Sequence, residues 1–173
     1  MRVREKCKIF LAGVLLAVFL LAGCGKNILT YTDKEKGYKI DYNADWEKKE
    51  VDISIVFSSP KESEDDVFRE AVNVVVQDLS SMSMTLEELT DHMKDYLAKA
   101  NATIERSGPD TLGGESGYLL VVTGKRGELE LKMMQMYAVA NNRAYIISYT
   151  AEVDKYDKYL EEAEKMIKSF EIL

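Results

Sequence analysis

Apolar and polar positions along the chain first alternate in short runs and then recur at a spacing of three and four, and the two periods separate strands from helices. In "GYKIDY", Tyr38, Ile40 and Tyr42 fall on one face and Lys39 and Asp41 on the other, as in a half-buried strand. "DISIVFSSP" repeats the alternation through Ile53, Ile55 and Phe57 and ends at Pro60, which has no amide to donate to a ladder. "KESEDDVFRE" is charged and aperiodic and reads as a loop. "AVNVVVQDL", nearly continuous in β-branched residues from Val72 to Val76, has the pattern of a central strand covered on both faces.

The period then changes. In "TLEELTDHMKDYLAKA" the residues Leu86, Leu89, Met93, Tyr96, Leu97 and Ala100 form a helical stripe, and Thr85 with Glu88 has the spacing of a capping box. Asn101 closes the helix. Strand patterns return in "ESGYLLVVTG" and "ELELKMMQMYAVA", which flank Lys125-Arg126, and Asn141-Asn142 supplies a tight turn into "RAYIISYTA". A second helix is predicted in "DKYDKYLEEAEKMIKSF", with Tyr156, Tyr159, Leu160, Ala163, Met166, Ile167 and Phe170 on its buried side. Consecutive hairpins and two helices predict an α+β domain with an antiparallel sheet.

The first 23 residues do not belong to this pattern. "MRVREKCK" is basic, and Ile9 to Ala22 is an uninterrupted run of 14 apolar or small residues. As a helix that run rises about 21 Å, short of the roughly 30 Å of a bilayer's hydrocarbon, and the layout is that of a signal peptide. Leu21-Ala22-Gly23-Cys24 resembles the bacterial lipobox, whose cysteine is acylated by a diacylglyceryl transferase and becomes the first residue after cleavage. The thiol of Cys24 is the strong nucleophile that thioether formation needs, and two acyl chains anchor stably where one does not. The expected division is a lipoprotein signal peptide over 1–23, a tether over 24–29 and a domain over 30–173. The expected partner is membrane lipid through acylated Cys24, on the outward, extracytoplasmic side of a prokaryotic cell membrane.

Composition narrows what the domain does. The chain has 23 Lys plus Arg against 30 Asp plus Glu. Four of those bases and one acid precede Cys24, leaving 19 against 29 after it, a balance that argues against a nucleic-acid surface. The two cysteines are Cys7 and Cys24, so once the leader is cut and Cys24 acylated the domain has no thiol for catalysis or disulfide exchange.

Several phrases resemble the PsbP-like family, named for an extrinsic protein of the photosynthetic oxygen-evolving complex. They are "GYKIDYNADW", "NVVVQDLSS", "GYLLVVTGKRGELELKMMQMYAV" and, most specifically, "AYIISYTAEVDKYDKYLEEAEKMIKSFEI". Asn43-Ala44 stands where the family often has Tyr-Pro, which leaves that turn less constrained. The resemblance covers residues 36 to 173 and implies a central antiparallel sheet flanked by helices, an α/β/α sandwich. It implies little chemistry, because the family ranges from photosystem subunits through a Ran-binding import factor of similar fold to bacterial lipoproteins.

Candidate chemical groups are few. His92 is the sole histidine and has no G-x-S-x-G elbow or metal-ligand companions, so no catalytic set is expected. Met82, Met84, Met133, Met134 and Met136 offer soft ligands for Cu⁺, but Met133 lies on the opposite strand face from Met134 and Met136, and core packing is the simpler reading. Glu62, Glu64, Asp65 and Asp66 offer hard ligands for Ca²⁺ without an EF-hand spacing, and a solvated loop is the default. Ten tyrosines and Trp46 could supply an aromatic protein-binding face wherever they are exposed. The expected function is a non-catalytic protein-binding or assembly module with an unidentified protein partner and no cofactor, the alternative being a metal-handling protein or an enzyme with an unrecognised site.

Overall fold

The computed structural model of the 173-residue chain describes residues 27–64 and 66–173. The expected signal peptide and Cys24 lie outside the described residues, as does Asp65. The strands are β1 (Ile28–Asp33), β2 (Tyr38–Asn43), β3 (Glu47–Val51), β4 (Ser54–Ser58) and β5 (Ala71–Asp78), then β6 (Thr103–Leu112), β7 (Glu115–Arg126), β8 (Leu129–Ala140), β9 (Arg143–Glu152) and β10 (Glu171–Ile172). The helices are α1 (Leu86–Lys99), between β5 and β6, and α2 (Tyr156–Lys168), between β9 and β10.

Seven strands form an antiparallel sheet in the order β3-β4-β5-β9-β8-β7-β6, and β1-β2-β10 form a second, three-stranded sheet. One face of the large sheet packs on α1 through Leu120, Val122, Tyr137, Ala144 and Ile146 against Leu89 and Leu97. The other face packs on α2 and the small sheet through Phe57, Val72, Val74, Ile147 and Tyr149 against Ile40, Ala163, Met166, Ile167 and Phe170. The α+β sandwich expected from the sequence is therefore present, with one helix layer completed by three extra strands. Rings of Tyr31, Tyr38, Tyr42, Tyr145 and Phe170 knit the two sheets together, Tyr38 stacking on Phe170 with centroids 5.3 Å apart.

Local signals account for the element ends. The Thr85 hydroxyl accepts from the Glu88 amide at 3.2 Å while the Glu88 carboxylate accepts from the Thr85 amide at 2.8 Å, the reciprocal capping box. Asn141 and Asn142 both take positive φ, +52° and +57°, which is what a two-residue turn matched to the strand twist requires. The turn between β7 and β8 falls at Gly127-Glu128 instead of Lys125-Arg126, which belong to β7, because Gly127 takes the positive φ there.

Other expectations are corrected. Ile28 and Leu29, assigned to the tether, are already in β1, which pairs along β2 from Ile28 with Asn43 to Asp33 with Tyr38. Ile53 sits in the turn before β4 and is 62% exposed, so only Ile55 and Phe57 carry that strand's buried face. Tyr96 is 69% exposed and Ala100 is also at the surface, so the α1 stripe is narrower than its spacing implied. The strand buried almost throughout is β9, not β5. β5 lies inside the sheet, yet Val75 on its second face is only half-covered.

Candidate functional site

Between α2 and the β6–β8 end of the large sheet runs a cleft of about 440 Å³. Its floor consists of core residues: Leu119, Met134, Ile167 and Phe170 are each less than 9% exposed. The space follows from the strand sequence above it. β6 is an edge strand whose register shifts between Ile104 and Arg106, a bulge that brings Arg106 opposite Val121, on the α2 side of the sheet. At period two from Arg106 come Gly108, opposite Leu119, and Asp110, opposite Gly117. Gly108 has no side chain to cover Leu119, and a Cβ built on it meets nothing within 4 Å. The opening is thus a missing side chain between two charged ones.

The rim is charged and of mixed sign. Glu164 and Lys168, one turn apart on α2, pair at 3.2 Å, and the Asp110 carboxylate accepts from the Thr111 amide at 2.8 Å. Arg106 has no carboxylate within ion-pair distance among the described residues. A guanidinium at the mouth of an apolar cleft suits an apolar group that carries a carboxylate, since it offers a bidentate donor fork. The methionine floor, Met134 with half-buried Met136, can adapt to the shape of what enters. These rim residues lie in a stretch without hydrophobic alternation; the period-two series Arg106, Gly108, Asp110 is the signal that would have found them.

A second, shallower cleft of about 550 Å³ lies on the α1 side, lined among others by Thr90, Lys94 and Tyr118. The Lys94 ammonium stands 5.0 Å over the Tyr118 ring, and hydrogen bonding from Lys94 and Ser107 holds that phenol below its ordinary pKa. Tyr118 stacks on Tyr137, whose hydroxyl donates to Thr90 at 3.2 Å.

The other sequence candidates are dispersed. His92 is exposed on α1. Met133 packs on the α1 side while Met134 and Met136 face α2, and Met82 is 54% exposed, so the methionines do not converge on a soft ion. Of the acidic loop, Glu62 pairs with Lys158 at 2.5 Å, Glu64 with Lys61 at 3.3 Å and Asp66 with Lys155 at 3.6 Å. Lysines thus compensate these carboxylates, and among the described residues no three metal-ligating side chains gather. Glu152 holds Lys155 as well and raises its pKa to about 12. Glu70, which the sequence left in a solvated loop, is 1% exposed and accepts from the Ser59 hydroxyl at 2.9 Å. The tyrosines do not form an aromatic binding face: all but Tyr96 are buried or half-buried. Tyr149, for example, donates to the Tyr156 carbonyl at 2.8 Å inside the core.

Comparison with known proteins gives three findings. A family model described as PsbP matches residues 26–172. No curated protein matches the chain. Among solved structures, cyanobacterial PsbP (CyanoP) from Synechocystis sp. PCC 6803 superposes with a TM-score of 0.61 at 16% identity, over 87% of this chain and 96% of that one. LpqN of Mycobacterium tuberculosis, described as involved in cell envelope biogenesis, gives 0.55 at 12% identity over 87% of each chain. A Pseudomonas aeruginosa protein of unknown function gives 0.56 at 12% identity, over 80% of this chain and 94% of that one. At these identities the likeness concerns the fold.

Proposed function

The chain belongs to the PsbP family, and from that premise we propose that it is a lipid-anchored, extracytoplasmic module that binds a protein partner and performs no chemistry of its own. The observation that carries the binding half is the cleft over Leu119, in which core residues reach the surface beneath Arg106, a guanidinium with no carboxylate in ion-pair distance among the described residues. Clefts of this volume with an apolar floor and few polar groups are the usual form of a ligand site. The partner's feature is an apolar side chain next to a carboxylate, entering under Gly108. The compatibility of PsbP-like folds with non-catalytic roles, and an envelope-related structural neighbour, support the reading.

A Cβ at Gly108 meets nothing within 4 Å, so Gly108→Leu has room to enter and places its side chain over the apolar floor of the cleft. Cross-linking on native membranes followed by affinity capture is expected to recover a partner with the natural chain, and to lose it with Gly108→Leu and with Arg106→Glu while the melting temperature holds. Equal recovery by all three proteins would overturn the cleft as the site. The anchor half rests on Cys24 and its lipobox. Fatty-acid labelling is expected to mark the natural chain only, and label on Cys24→Ala would refute acylation there.

A further inference from the structure

The start of β1 limits how far the domain can stand from its anchor. Only Gly25, Lys26 and Asn27 separate Cys24 from Ile28, the first residue of β1. Four steps of extended chain span at most about 14 Å between the Cα atoms of Cys24 and Ile28. A headgroup layer is itself roughly 5–8 Å deep, taking a bilayer of about 40–45 Å with a 30 Å hydrocarbon core. With Cys24 diacylated, the first residue of β1 can therefore stand at most roughly 6–9 Å beyond the headgroups, which holds the domain close to the bilayer surface.

The residues at that point have an apolar surface with no other explanation. Ile28 is 57% and Leu29 46% exposed, on the edge strand of the small sheet and paired with Asn43 and Tyr42 of β2. Beside them stands the flank of α2 that carries Lys165 and Ser169, where Lys165 is neutralised by Glu161 at 2.6 Å. We propose that this β1–α2 flank is a membrane-contact surface: Ile28 and Leu29 lie in the lipid interface and fix the orientation of the domain. Asp41 and Glu162 line the flank with Lys165 and form no basic patch among the described residues, so contact comes from apolar burial, and the occupant is the bilayer carrying the anchor. This rests on the reading that Cys24 is acylated.

Orientation has a consequence for the binding cleft. Lys165 and Ser169 lie on one side of α2, whereas Glu164, Ile167 and Lys168 line the cleft about a third of the helical circumference away. The helix thus separates the membrane contact from the cleft, which opens on another side of it.

Because no cysteine follows Cys24, single labels are clean. Chains with Cys7→Ser are made with either Lys165→Cys, on the α2 flank beside the apolar pair, or Lys99→Cys, at the end of α1 across the large sheet. Each is purified with its lipid, labelled with bimane and placed in phosphatidylcholine vesicles holding a minority of phosphatidylglycerol and of a nitroxide-headgroup lipid. The expected result is flotation of both proteins with the vesicles and several-fold stronger quenching at position 165 than at position 99. Flotation with equal quenching at the two positions overturns the orientation and leaves the anchor standing. Failure of both to float or to take up fatty acid overturns the anchor, and the orientation with it.

Discussion

Replacing Glu162 by Ala tests the reasoning at a point where three separated segments meet. The Glu162 carboxylate, on α2, accepts from the Asn43 side-chain amide at 2.6 Å and from the Trp46 indole at 3.1 Å. Both donors are buried, Asn43 to 6% and Trp46 to 2% exposure, and they bracket the turn after β2. That turn has no proline. The chain closes it by the Trp46 amide donating to the Asn43 carbonyl at 3.0 Å and the Ala44 amide to the Asn27 carbonyl at 2.8 Å, and the helix locks it from outside. Hydrogen bonds to a charged group contribute about 1.5–3 kcal/mol each, and a buried donor left unpaired costs about 1–3 kcal/mol. Glu162 is itself half-exposed and water enters the space an alanine leaves, so the lower ends apply. The expected loss is about 3 kcal/mol, or roughly 5–10 °C of melting temperature for a domain of this size. Glu162→Gln retains an acceptor and is expected to lose about half as much. Urea denaturation followed through Trp46, the only tryptophan, reports stability at the site itself, since its emission shifts to the red as unfolding exposes the buried indole to water. A loss below about 0.5 kcal/mol for the alanine variant, beneath the worth of even one net hydrogen bond, would refute the staple.

Other outcomes follow from the same geometry. Gly117→Ala is expected to destabilise by about 2 kcal/mol in chemical denaturation, because its Cβ would meet the Tyr137 carbonyl oxygen at 2.7 Å and that backbone is fixed in the β7–β8 ladder. In an alkaline titration followed by phenolate absorbance, Tyr118 is expected to ionise below ordinary tyrosines and Lys94→Met to move it up, whereas burial holds Tyr156 neutral to about 12 and Tyr38 and Tyr149 higher still. A tyrosine with a raised folded pKa gives stability that is whole below about pH 10, its unfolded value, and is lost as pH climbs toward the folded one, so the domain is expected to unfold in that alkaline window. Lys155→Met removes the partner of Asp66, whose side chain is 3% exposed, and is expected to lower the melting temperature and to speed limited proteolysis within residues 61–70.

The elements legible in the sequence are those whose cause is local or whose one face is buried. The Thr85–Glu88 box acts over three residues, the Asn141-Asn142 turn over two, and the stripe from Tyr156 to Phe170 repeats at the helical period because one side of α2 is dry. β3, "EKKEV", and β6, "TIERSGPDTL", are edge strands with almost every residue exposed. Exposure on both faces leaves no alternation to read, and charge, a bulge and Pro109 guard these edges from pairing further. Ile28 and Leu29, the first two residues of β1, read as tether for the same reason: they become strand only because β2 offers a ladder, and nothing in their own order requires it.

Residue identity and spacing by themselves determined the class of the fold, the Thr85–Glu88 cap, the Asn141-Asn142 turn, the buried side of α2 and the absence of cysteine from residues 25–173. Tertiary structure alone decided what depends on partners distant in the chain. Glu162 meets Asn43 across 119 residues, and Lys158 and Lys155 of the α2 region meet the acids of the 61–70 loop. Gly108 is an opening only because Leu119 lies beneath it and Ile167 beside it. Periodicity reports which residues leave water; it carries no information on which side chains then meet, because that is set by the packing of layers formed from segments far apart in sequence.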